Sequence, residues 1–277
     1  MKEKVEVISK YFIAPSSWTP DLANPFSNDG NYGIRWSGFC LNKKIQSKYS
    51  IGKQGLGLFT LVVNPLFEGW QYRLGDFLQY EIYHGRKVIL WNPEEWDYVA
   101  IIKAVINNDF RENVVRPYDE RWVVHSTTHD LWGKIAESGC LKSLRRLRNE
   151  NVEISGIGLE PLGEPDDYMD YVMFDTINGC CEMVVSSRQK GKICLDANAP
   201  YIPGVRMYFD AYAIIQDSLM VRDGAHVLKV YDRLPLKPYL KMVLNESDVP
   251  YVNEQRIWTP TLFTEAANKK FLEVVSP

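Results

Sequence analysis

The chain has 277 residues and a formal net charge of −3, with 32 Lys and Arg against 35 Asp and Glu. At about 150 residues per domain this length predicts roughly two domains, and 45% hydrophobic with 24% charged residues excludes disordered, collagen-like and low-complexity chains. The longest strongly apolar stretch, Leu56 to Val63, falls far short of the ~20 residues a membrane helix needs.

The opening Met1-Lys2-Glu3-Lys4 puts charge where a signal peptide needs apolar residues, so the expectation is a soluble, cytoplasmic protein. Charge is slightly positive before residue 118 and negative after it, which excludes a bulk nucleic-acid binder; any polyanion must be gripped locally. Cys40, Cys140, Cys180, Cys181 and Cys194 form no CxxC pair and read as reduced thiols. His125 and His129 are four apart, but Ser126-Thr127-Thr128 between them reads as strand end and helix cap, so no metal is expected.

Residues 1–92 read mainly as short strands and turns, with Tyr32 to Phe39, Leu56 to Val63 and Tyr80 to Trp91 rich in aromatic and β-branched residues. A helix is predicted over about 93–107, with Asn92 as cap, Pro93 at its first position, and Trp96, Val99, Ile102, Val105 and Ile106 as its apolar face. Polar Arg111 to Arg121 reads as a linker, placing the boundary between two domains, 1–118 and 119–277, near residue 118. The second half then offers a strand at Trp122 to His125 and a short helix at Asp130 to Ser138 closed by Gly139. Further strands are predicted at Asp170 to Phe174, Cys181 to Val185, Val205 to Phe209 and Ala225 to Val230, with a loop from Ser155 to Asp167. That pattern is α+β, preceded by a mostly β N-terminal domain.

Chemistry concentrates in Trp122-Val123-Val124-His125-Ser126-Thr127-Thr128. A buried strand delivers His125 at its end and hydroxyls follow, an arrangement able to hold a ribose hydroxyl. The commoner fate of such a residue is a histidine satisfied by nearby backbone, and the residues alone leave both open. Lys142, Arg145, Arg146 and Arg148 form a small basic cluster, read either as a solvated helix face or as a phosphate-contacting patch.

The segment VVHSTTHDLWGKIAESGCLKS resembles the opening motif of the ADP-ribosyltransferase superfamily: strand, His, small residue, Thr, helix, then Gly-x-Leu. Downstream, MDYVMFDT resembles that superfamily's second strand, and VRMYFDAYAIIQDSLMV with DGAHVLKVYDRLPLKPYL is similar to the last part of the RNA 2′-phosphotransferase family. Those features fall on Asp210-Ala211, Asp217, Asp223-Gly224 and Pro235 to Tyr239, so the likeness covers roughly residues 121–240.

The resemblance implies an ADP-ribosyltransferase-like pair of small antiparallel sheets around a cleft, with a C-terminal extension from about residue 241. It implies NAD as co-substrate: His125 anchors the nicotinamide-side ribose, Ser126 and Thr127 contact the same ribose and adenosine, and Tyr171 packs on the nicotinamide ring. It also implies a phosphate acceptor such as an RNA 2′-phosphate, held by arginines whose fork matches phosphate oxygens. The family's N-terminal Arg-His pair has no counterpart in residues 1–118, Met169 stands at its next arginine, and Tyr171 and Met173 stand at its second-strand histidines. Substitute phosphate ligands are Arg111, Arg116, Arg121, Arg145, Arg146, Arg148 and Arg188, none of them assigned by spacing. Two rival readings stand beside the transferase: a non-catalytic module binding a nucleotide or RNA end, and an ADP-ribosyltransferase acting on protein or DNA.

Overall fold

Strands buried on both faces read as unbroken apolar runs, and Leu58–Val63 is one: every residue of it is buried. It belongs to a five-stranded sheet of β1 (Tyr11–Ile13), β2 (Trp36–Leu41), β3 (Tyr49–Gln54), β4 (Leu58–Val63) and β5 (Lys87–Trp91), ordered β1-β5-β2-β4-β3. All neighbours are parallel except β3, which runs antiparallel to β4. The structure is a computed structural model describing residues 10–105, 113–153, 164–179, 181–250 and 257–275. It divides into unit 1 (Met1–Glu112, Leu162–Tyr168, Val221–His226) and unit 2 (Asn113–Pro161, Met169–Met220, Val227–Pro277).

Unit 1 departs from the mostly β expectation because helix α1 (Trp70–Tyr83) joins β4 to β5. Its aromatic residues mimic strand composition, yet buried Leu74, Phe77, Leu78, Glu81 and Ile82 recur at helical spacing. The run expected as one strand from Tyr80 is therefore helix to Tyr83, a turn at Gly85, and β5 from Lys87. The next helix, α2 (Tyr98–Val105), begins later than expected. Asn92 does not cap it; its side chain bonds both N and O of Trp96, while Asp97 Oδ1 accepts the N–H of Ala100. Ile102 and Val105 are buried and Val99 is exposed, and Ile106 lies outside the described residues.

The core of unit 1 also contains charge. Arg86 grips Glu81 through Nε and Nη2 at 2.6 and 2.9 Å, and Asp167 through Nη1 at 2.6 Å. Ser37 Oγ donates to Glu81 Oε2, and Tyr80 donates to Asp167 at 2.6 Å. Asp223 Oδ1 accepts the backbone N–H groups of Ala225 and His226, while its Oδ2 pairs with His226 Nδ1 at 2.8 Å. One returning segment thus brings Asp167 to this cluster, and the other is tied to helix α1 by Arg73 Nη1, which donates to the Gly224 carbonyl at 2.6 Å.

Unit 2 is built on an antiparallel sheet of β6 (Trp122–Thr127), β8 (Tyr171–Thr176), β9 (Val205–Asp210), β10 (Leu228–Tyr231) and β12 (Leu240–Leu244), ordered β10-β8-β6-β9-β12. A two-stranded ribbon of β7 (Cys140–Lys142) and β11 (Arg233–Pro235) accompanies it. Helix α3 (His129–Ser138) follows β6 and ends on Gly139 at φ 66°, the left-handed stop expected there. Short α4 (Leu144–Asn149) is capped by Ser143, whose Oγ accepts from Arg146 N.

The strand expected at Cys181 to Val185 is instead the start of helix α5 (Glu182–Lys190). Buried Glu182, Val185 and Ser186 fall at i, i+3 and i+4, so helical burial outweighs the β-branched pair Val184-Val185. Helix α6 (Ala211–Gln216) follows β9. The segment past residue 240 is integral: β12 pairs with β9, and helix α7 (Pro260–Val275) buries Phe263, Ala267 and Phe271 against Val124 and Tyr208. The fold is mixed α+β, with the loop expected at Ser155 to Asp167 mostly outside the described residues.

Candidate functional site

Alternation along β6 sends Val123, His125 and Thr127 to one face and Val124 and Ser126 to the other. The strand pairs with β9 over its whole length, but with β8 only at Val123↔Thr176 and Val124↔Asp175. The ladder opens at the next residue, and that residue is His125. Its Nδ1 reaches across to the Met173 carbonyl at 3.0 Å, and its ring stands edge-on to Phe174 at 5.9 Å. A carbonyl only accepts, so Nδ1 carries the proton of the neutral ring and Nε2 is left as an acceptor. Burial holds the imidazole down to a pKa of about 4; the Met173 carbonyl opposes this and the charge of Arg188 adds to it. His125 is neutral at pH 7.

The neighbouring hydroxyls behave differently from the expectation. Ser126 is buried on the opposite face, its Oγ bonded to Glu182 Oε1 and lying 2.9 Å from Cys181 Sγ. It is committed to the protein, since a side chain pleated away from His125 cannot share its ligand. Thr127 is buried, and its carbonyl is approached by Gly204, where a Cβ would lie 2.0 Å away. Glu182, fully buried, also takes Tyr201 at 3.1 Å and Arg206 Nη1 at 3.4 Å. Arg206 in turn donates to Tyr208, Cys181, Asn268 and the Ile177 carbonyl. Burial raises the Cys181 thiol to about 12, only partly offset by Arg206.

Tyr171 does not join His125. It sits three residues before Phe174, so the pleat turns it to the other face of β8, where Lys229 Nζ lies 4.3 Å over its ring and Tyr231 packs at 5.7 Å. The ring beside His125 is Phe174.

The candidate phosphate arginines separate sharply. Arg121 pairs with Asp210 at 3.2 Å and lies over Trp122 and Tyr212. Arg145 pairs with Asp170, Arg146 with Glu150 at 2.7 Å and Asp232 at 3.1 Å, and Lys142 with Glu150 at 2.6 Å. Arg148 Nη1 contacts Met169 Sδ at 3.1 Å. Carboxylates thus neutralise most of the basic cluster. Arg116 is buried, its N–H bonded to Asp119, and Arg111 lies outside the described residues. Arg188 is partly buried on α5, its Nε enclosed without a hydrogen-bond partner among the described residues. Burial lowers its pKa, and Asp130 in the first turn of α3 opposes that.

Sequence reasoning missed Arg206 and the Met173 carbonyl, and it read Glu182 as a strand carboxylate wrongly placed for the site, whereas Glu182 opens helix α5. Arg206 carried a signal: a charged residue pleated inward within the apolar strand Val205–Asp210 needs a buried counter-ion. Among the described residues no His, Cys, Asp or Glu group has the arrangement of a metal site, and no helix is long and apolar enough to cross a membrane. Comparison with family models, with curated proteins and with solved structures finds no match to this chain.

Proposed function

We propose that unit 2 is an NAD-dependent transferase of ADP-ribosyltransferase type, most like the RNA 2′-phosphotransferase family, with its ligand in the opening between β6 and β8. The observation that carries this reading is His125, a neutral imidazole held by Met173 so that Nε2 is an acceptor where the ladder parts. Such a group takes a ribose O–H and fixes the sugar without itself exchanging a proton. In the transfer, the bond from ribose C1 to nicotinamide breaks with its electron pair leaving on nicotinamide, and an acceptor phosphate oxygen bonds C1. An acceptor already anionic needs no general base, and Glu182 supplies none, being spent on Ser126, Tyr201 and Arg206 on the other face of β6. Phe174 walls the same face with an apolar ring.

The same commitment of Ser126 and Glu182 favours a second reading, in which the opening holds a nucleotide or RNA end without turnover. A calorimetric titration with NAD beside an assay for nicotinamide release separates the two. Binding with release supports the transferase, binding without release supports the binding module, and absence of binding overturns both. In the binding arm His125→Ala should weaken NAD roughly three- to tenfold, the equivalent of one neutral hydrogen bond of about 0.5–1.5 kcal/mol.

A further inference from the structure

The chain that leaves helix α5 folds back over its last turn. Gly191, at φ 63°, stops the helix, and the N–H of Lys192 donates to the Ser187 carbonyl at 3.2 Å. Ser187 Oγ then accepts the N–H of Cys194 at 2.9 Å, and Lys190 Nζ donates to Cys194 Sγ at 3.3 Å. Further on, Thr261 of α7 holds the Ala197 carbonyl through both its N–H and its hydroxyl at 3.0 Å. The thiol is thus held in place, yet Cys194 is only half-buried and its neighbour Leu195 is exposed, so a small solute can reach the sulfur. Ser186 stands four residues before Lys190 and shares its face of the helix. It is fully buried, and its Oγ completes no hydrogen bond among the described residues. A buried hydroxyl in that position, beside a thiol, is fitted to an oxygen atom that the sulfur acquires.

We propose that Cys194 is a site of oxidation by hydrogen peroxide, and that Lys190 and Ser186 hold the resulting sulfenate. In the step, the thiolate Sγ attacks one oxygen of the peroxide. The S–O bond forms as the O–O bond breaks, and sulfur gives two electrons to the peroxide. The departing hydroxide takes the S–OH proton and leaves as water. The sulfenate oxygen then accepts from Ser186 Oγ and from the Lys190 ammonium, so its charge stays beside the cation that favoured the thiolate. The Cys194 pKa lies below its ordinary value, with Ser186 the largest cause and Lys190 next, opposed by burial. Cys40 and Cys181 are the contrast: burial pushes both thiols up to about 12, which leaves almost no thiolate at neutral pH. This chemistry does not depend on what the β6–β8 opening binds.

The test treats the full chain at pH 7 with hydrogen peroxide, traps sulfenate with dimedone and reads the adduct on each cysteine peptide by mass spectrometry. Cys194 should react at least about tenfold faster than Cys40 and Cys181, and ahead of Cys140. Lys190→Gln should slow the reaction about three- to tenfold. Its thiolate fraction falls as the thiol pKa rises, and the greater nucleophilicity of a more basic sulfur recovers only part of that loss. Lys190→Arg keeps the cation and should keep most of the rate. Ser186→Ala should shorten the life of the sulfenate about three- to tenfold, the loss of one hydrogen bond, read by removing peroxide with catalase and delaying the dimedone. Those results support the assignment. Cys194 labelled no faster than Cys140, an unchanged rate in Lys190→Gln, or an unchanged lifetime in Ser186→Ala overturns it. The ranking of thiols is read on wild type alone, so it decides even where Ser186→Ala fails to fold.

Discussion

The neutral state of His125 couples a single side chain to acid stability. Its pKa is about 4 in the fold against about 6.5 in an unfolded chain, so the unfolded chain takes up the proton first. Its contribution is therefore complete above about pH 6.5 and is lost as pH falls toward 4. With the ring partly accessible, the loss amounts to about 1–3 kcal/mol. Denaturant unfolding at pH 7, 5.5 and 4.5 should show this decline in wild type and a flatter curve in His125→Asn; parallel curves would mean the ring is not held neutral. Asp167 acts in the same direction at lower pH, because Arg86 outweighs its burial and holds its carboxyl below the ordinary value. The sequence made His125 legible as a strand histidine with a ligand-facing alternative, but not at the strand's end, since β6 runs on to Thr127 along β9. Its partner was illegible, since the Met173 carbonyl belongs to backbone that every residue type shares.

At the scale of elements, β6, β8, β9 and α3 were readable because alternation and a glycine stop dominate them locally. Helices α1 and α5 were not, since aromatic and β-branched residues fill them and only burial reveals their period. Tyr171 was readable as a strand residue but not as one turned from His125, because the side it faces depends on β-pairing register. Helix α2 permits a sharp check: Ile102 is 1% exposed and Val99 44%. Ile102→Ala should cost about 2–5 kcal/mol and Val99→Ala under about 0.5 kcal/mol, read from unfolding curves. Equal costs would show that the buried face is misassigned.

At the scale of the whole molecule, the chain leaves unit 1 after Glu112 and returns to it twice, at Leu162–Tyr168 and Val221–His226. Composition marks linkers by their polarity, whereas the returning segments are held by Asp167 on Arg86 and by the Gly224 carbonyl on Arg73, which composition does not register. Removing Arg86 should expose how much depends on that charge. Glu81 is fully buried and Asp167 largely so, and without the guanidinium both lose their compensating cation. Arg86→Met should destabilise by about 3–5 kcal/mol, measured by denaturant titration. A change below about 1 kcal/mol would mean that water enters and solvates the carboxylates.

The returning segments also set an order of events during synthesis. Arg86 leaves the ribosome well before Asp167, and Asp223 follows later still, at elongation rates of about 5–20 residues per second. For roughly 4–16 s the nascent first unit holds Glu81 and Arg86 without Asp167, the acid that completes their cluster. All five strands of its sheet are therefore synthesised before the acid that closes the cluster. A slow codon after residue 167 gives that closure time, whereas premature release near residue 160 frees a first unit in which Arg86 lacks Asp167.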